Sequence, residues 1–103
     1  MMTSMSDRER AFENKYALDE EQKFKALVRR NKALGRWAAE LLGRDPEAYA
    51  AEVVEADFQE AGDEDVFRKL RGDLDAGGVS VSDEEIRQKM FAYLQDAVAE
   101  LAR

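Results

Sequence analysis

The chain has 103 residues, a formal charge of -7, and neither Cys nor His. That length caps it at one domain with a thin core, and the missing residues remove disulfides, thiolate nucleophiles, the commonest metal ligand and the commonest general base. The acidic balance argues against bulk electrostatic binding to nucleic acid or to an anionic membrane. No apolar run approaches the roughly 20 residues of a membrane span, and the opening MMTSMSDRER lacks the apolar centre of a signal peptide. A cytoplasmic location is therefore the expectation.

Charge is divided unevenly. Up to Gly43 there are nine basic and seven acidic residues; from Arg44 onward there are seven basic and sixteen acidic. A mildly basic front thus precedes a strongly acidic remainder, which suits either helix pairing inside the fold or steering of a partner outside it.

Residues up to about Met5 are expected to be disordered. Ser6 and Glu9 have the spacing of a capping box. The stretch after them is helix-compatible but poor in apolar residues, with Phe12 and Tyr16 one turn apart. So short a helix is marginal in water by itself. It reads either as the frayed beginning of the next helix or as an arm that folds when its aromatics find a groove.

Residues 19–43 form the spine. Phe24, Leu27, Asn31, Leu34, Ala38 and Leu41 alternate three and four apart, which places them along one helical face. Asn31 on that face is either a tolerated edge residue or a device that fixes register. Arg29, Arg30 and Lys32, in a basic cluster that Arg36 completes, are expected to project mainly from the other faces. They form either a solvated flank or a candidate docking patch for an acidic partner or anion. Gly35 permits a close approach, with Trp37 as the suggested neighbour, and Gly43 is placed as a helix stop.

Asp45-Pro46 starts a second helix, with a capping carboxylate followed by Pro at the first helical position. It is expected over 46–61, lined by Ala50, Val54, Phe58 and Ala61 with Tyr49 and Val53 alongside. A third, over 64–76, would bury Phe67, Leu70 and Leu74 and end at Gly77-Gly78. Ser82 and Glu85 form the next capping box. The last helix, over 83–102, turns Ile86, Met90, Tyr93, Leu94, Ala97, Val98 and Leu101 inward. Short links make successive helices antiparallel neighbours. The fold class is all-α: an irregular antiparallel four-helix bundle over 19–103, preceded by a mobile arm over 1–18.

Catalytic patterns are missing. Gly77-Gly78 lacks the Lys and the glycine-rich cradle of a P-loop. The acidic groups at Asp57/Glu60 and Asp63/Glu64/Asp65 lack the order of an EF-hand loop. A Glu-x-x-His metal bundle needs the absent His. Ser80 and Ser82 sit in a loop and a cap with no base near them in sequence. No catalytic or metal-binding residue is assigned, and recognition suits the chain better than catalysis.

Several blocks carry a family likeness. They are Asp7-Arg8-Glu9-Arg10-Ala11-Phe12-Glu13, Lys15-Tyr16-Ala17, Asp19-Glu20-Glu21, Phe24-Lys25, Arg29-Arg30-Asn31-Lys32 and Leu34-Gly35-Arg36-Trp37-Ala38-Ala39-Glu40. In this order they resemble the alphaproteobacterial inhibitor of the F-type ATP synthase, the zeta subunit family, over essentially the full chain. The resemblance implies a four-helix bundle that carries an inhibitory N-terminal segment. Before about Asp19, that segment would insert into the F1 sector at an alpha/beta interface beside gamma and block ATP hydrolysis far more than synthesis. The partner-binding positions it implies are Asp7, Arg8, Glu9, Arg10, Ala11, Phe12, Glu13, Lys15 and Tyr16, with Phe12 and Tyr16 as apolar anchors. It also implies the alpha, beta and gamma subunits as partners, a peripheral position on the cytoplasmic face of the synthase, and a free monomer. Weak ATP or ADP binding by the bundle follows from the likeness too, on residues no motif assigns, and no cofactor is required. The related mitochondrial brake senses pH through His, which this chain cannot do. The alternative reading is an adenine-nucleotide-responsive helical interaction module without F1 inhibition.

Overall fold

A computed structural model describes residues 18–59 and 63–102. The described residues form four helices and no strand: α1 (Glu20–Leu42), α2 (Pro46–Gln59), α3 (Asp63–Ala76) and α4 (Asp83–Leu101). Ala61, expected on the apolar side of α2, lies outside the described residues, as does the whole segment over 1–17.

Local chemistry explains the helix ends. Asp19 and Gln22 form a reciprocal capping box: the Gln22 N–H donates to Asp19 Oδ1 at 2.8 Å and the Asp19 N–H to Gln22 Oε1 at 3.3 Å. The Asp45 carboxylate accepts from the Ala48 N–H at 2.9 Å, one turn into α2. Ser82 Oγ accepts from the Glu85 N–H at 3.1 Å, but only this half of the expected box is made. At the other ends, Gly43 and Gly78 take φ of 72° and 71°. In that left-handed conformation the chain folds back, and the N–H groups of Arg44 and Val79 reach Ala39 and Leu74 carbonyls at 3.0 and 2.9 Å. Glycine adopts it without a Cβ clash.

Pairs across the helices show that successive helices run antiparallel. Arg36 meets Glu47 and Phe24 meets Phe58 across α1 and α2. Glu52 meets Lys69 and Tyr49 meets Asp73 across α2 and α3. Glu64 meets Arg87 and Arg71 meets Asp83 across α3 and α4. α4 also lies antiparallel against α1, with Arg29 on Glu100 and Lys89 over Trp37. The spine therefore packs on α2 and α4 along most of its length, as the length of the last helix suggests.

The core has two parts. Leu34, Ala38 and Ala39 of α1 meet Tyr49 and Val53 of α2, Val66, Leu70 and Leu74 of α3, and Ile86 and Met90 of α4. A smaller cluster joins Ala26 to Leu94, Ala97 and Val98, with Leu18, Leu27 and Leu101 packed on it. Burying a large aliphatic side chain contributes about 1.5–3 kcal/mol, so the first cluster dominates.

The expected faces need correction at five residues. Phe24 and Leu41 are 52% and 42% exposed, and Phe58 is 58% exposed. Each lies near a helix end, where fewer neighbouring helices remain to cover it. Arg30 is fully buried rather than projecting outward. It stands four residues from both Ala26 and Leu34, which are buried too, so its position on the helix is inward. On α3, Val66 is buried and Phe67 only partly so.

Candidate partner-binding site

The expected inhibitory positions Asp7, Arg8, Glu9, Arg10, Ala11, Phe12, Glu13, Lys15 and Tyr16 all lie outside the described residues. The expected docking patch lies on α1, beside α2 and α4.

Of the expected docking patch, Arg29, Lys32 and Arg36 are exposed at three- and four-residue spacing along one side of α1. Arg29 Nη1 donates to Glu100 Oε1 at 3.0 Å. Arg36 grips Glu47 with two bonds, Nε to Oε2 at 3.0 Å and Nη2 to Oε1 at 3.2 Å. These bonds, with the guanidinium charge, hold the Glu47 carboxyl below its usual range and push Arg36 up. Lys32 stands between them with no ion pair among the described residues. With Tyr93, Asp96, Ala97 and Glu100 of α4, the three cations border an open groove of about 350 Å³. One wall is basic and the other carries carboxylates. That arrangement suits a partner of mixed charge better than a bare anion.

Arg30 does different work. Its Nε donates to Asn31 Oδ1 at 3.0 Å and its Nη1 to Asp63 Oδ1 at 2.9 Å. Asn31 Nδ2 donates in turn to Asp57 Oδ2 at 2.9 Å. The fourth residue of the expected patch is thus a buried tie between α1, the end of α2 and the start of α3. Asn31 is part of this tie and is buried, so it is not an edge residue of the apolar face. Burial pushes the Asp57 carboxyl up, against the Asn31 bond and the Arg30 charge.

A second polar tie holds α2 to α3. The Tyr49 hydroxyl donates to Asp73 Oδ2 at 2.7 Å, and Lys69 Nζ reaches Asp73 at 3.0 Å and Glu52 at 3.1 Å. Burial raises the Tyr49 hydroxyl well above its ordinary range, and the Asp73 bond adds to the effect. Burial alone would raise Asp73 as well, but the bonds from Tyr49 and Lys69 outweigh it and leave Asp73 lowered. Gly35 makes a close approach of its own: a Cβ there would come within 2.4 Å of Ala50 Cα. The glycine is needed for contact with α2, not for room beside Trp37.

One surface feature joins two helices and has no signal in either one alone. Phe24 and Phe58 stack with ring centroids 5.6 Å apart and planes within 8°. Both lie on the apolar faces of their helices but at the ends of those faces, and that position is the signal of their exposure.

A family model described as ATPase inhibitor subunit zeta matches residues 2–100, a span that takes in the undescribed N-terminal segment as well as all four helices. A protein structure solved by solution NMR is 49% identical and superposes with a TM-score of 0.67, covering 78% of this chain and 94% of that one. No curated protein matches.

Proposed function

Because the chain belongs to the ATPase inhibitor subunit zeta family, we propose that it restrains ATP hydrolysis by F1 through residues 1–18, with the helical bundle as their carrier. Members of this family are regulatory inhibitors of F1-ATPase and not enzymes, and their partners are the alpha, beta and gamma subunits. The finer reading places the segment at a catalytic alpha/beta interface near gamma, on the cytoplasmic face of the synthase. Its main support is the extent of the family match, which begins at residue 2.

The residues suit that role. Asp19 caps α1 through Gln22, so the spine can begin without help from what precedes it. The segment before it offers Phe12 and Tyr16 to a groove and mixes Arg8 and Arg10 with Asp7, Glu9 and Glu13. Mixed signs favour specific ion pairing over bulk attraction. Ordering such a segment costs conformational entropy, so several contacts must offset it.

The test is ATP hydrolysis by F1 from the source organism, titrated with the full chain and with a chain starting at Asp19. Inhibition by the full chain alone is expected; equal inhibition by both would refute the arm. Phe12→Ala should raise the midpoint by about thirtyfold, as loss of an interface anchor worth about 2 kcal/mol does. The bundle's melting curve should not move. An unchanged midpoint at subsaturating protein would remove Phe12 from the contact.

A further inference from the structure

Phe24, Leu41 and Phe58 are the large apolar side chains left exposed among the described residues, and two of the three are stacked on each other. The stack sits where α1 begins and α2 ends. Val28 and Val54, one turn further along the same helices, are partly buried. Charges beside it are matched within α1: Lys23 faces Glu20 at 3.8 Å and Lys25 faces Glu21 at 3.3 Å. The patch is therefore apolar at its centre, and each neighbouring cation of α1 has a carboxylate within 4 Å. Paired aromatics at a surface are typical anchors of protein contacts.

We propose that the Phe24–Phe58 stack is a second point of contact with F1, seated on an apolar strip of the F1 surface beside the place where the N-terminal segment enters. This rests on the reading that residues 1–18 insert into F1. Continuity of the chain supplies the argument for the occupant. Phe24 lies five residues beyond the cap at Asp19, about 8 Å along the helix axis. An inserted segment that ends just before Leu18, which packs on the bundle, brings this end of the bundle to the rim of its binding cleft, with the stack among the first bundle side chains to arrive. The insertion sets the site of action, and the stack fixes the angle at which the bundle stands on the rim. It also adds a contact whose two rings are already stacked on each other before binding.

The experiment uses the full chain and F1 from the source organism. It compares the wild type, the pair Phe24→Ser/Phe58→Ser, and the pair Phe24→Leu/Phe58→Leu. The readouts are the inhibition midpoint, the maximal inhibition, the melting curve, and sedimentation of the free protein. The Ser pair is expected to raise the midpoint roughly tenfold at unchanged maximal inhibition, and the Leu pair to recover most of that loss. A Ser pair with the wild-type midpoint overturns the second contact while leaving insertion intact. A wild-type chain that fails to inhibit overturns both readings. A wild type that sediments as a dimer, dissociated by the Ser pair, would make the stack a seam between two copies. A Ser pair that inhibits more tightly would show the stack holding the inhibitory segment back in the free protein. Either result overturns the proposal. Parallel melting of the Ser pair and the wild type excludes unfolding as the cause of a weaker midpoint.

Discussion

The two halves of α1 sit in different surroundings. From Leu34 to Ala39 the spine is enclosed by large side chains of all three other helices. From Glu20 to Leu27 it is backed mainly by α4, through Leu94, Val98 and the small Ala97, and by the end of α2 through an exposed ring stack. Between the halves, Arg30 and Asn31 join α1 to Asp63 and Asp57. The enclosed half sets the stability of the bundle. The thinner half is the one that continues into the proposed inhibitory segment, and its aliphatic burial, through Leu94 and Val98, comes from α4 alone.

The largest expected effect comes from breaking the boundary. Arg30→Met removes a buried cation and leaves Asp63 and the Asn31–Asp57 pair without it. A single-sided break of this kind costs about 3–5 kcal/mol, read from a urea or thermal unfolding curve. A loss under about 1 kcal/mol would mean that apolar packing, not this cation, joins the two halves. Gly35→Ala tests the enclosed half. Alanine is about 1 kcal/mol better than glycine in a helix, but here its Cβ would drive into the α2 backbone at Ala50. Overpacking of about 1–3 kcal/mol should outweigh that gain, so a net loss of stability is expected. A more stable variant would show that α1 and α2 separate easily.

Helix positions were legible in the sequence because caps and stops are local chemistry. Asp45-Pro46, Ser82, Gly43 and Gly77-Gly78 each act within a turn, so no tertiary knowledge is needed to read them. The inward face of α4 was legible for a related reason, since a long helix packed along the spine keeps one apolar stripe. What failed was the step from direction to burial. Periodicity says which way Phe24 leaves its helix, but cover depends on how far the neighbouring helix extends. Arg30 failed the other way: its charge suggested the surface, while its spacing to Ala26 and Leu34 pointed inward. The spacing was the better guide, since a long stem can cross the core and place its charge on a carboxylate. The stack, which draws one ring from each of two helices, could not be read from either helix alone.

The two polar ties should answer oppositely to acid. Asp73 is lowered in the folded state, so its contribution is present above the ordinary carboxylate pKa and is lost as pH falls through the lowered folded value. Asp57 is raised, so ionising it opposes folding, and that penalty disappears as pH falls below the unfolded value. Asp73→Asn should cost about 1 kcal/mol at neutral pH and flatten the acid-side loss of stability. Asp57→Asn should change neutral stability less, because an amide oxygen can still accept from Asn31. Stability against pH for the two variants decides this; equal acid responses would show that the enclosed half and the boundary do not titrate separately.

The smallest effect is expected at the thin half. Arg29 and Glu100 meet at 3.0 Å, but both side chains are about half exposed. Water screens such a pair, and holding two long side chains in one geometry costs entropy. A double-mutant cycle with Arg29→Ala and Glu100→Ala should therefore give a coupling of about 0.5 kcal/mol or less, shrinking further in salt. A coupling well above about 1 kcal/mol would make this ion pair a principal clamp of α4 on the first half of the spine. The thin half would then be held by charge across α1 and α4, and the burial of Val98 and Leu94 would lose its place as the main reason the two helices stay together there.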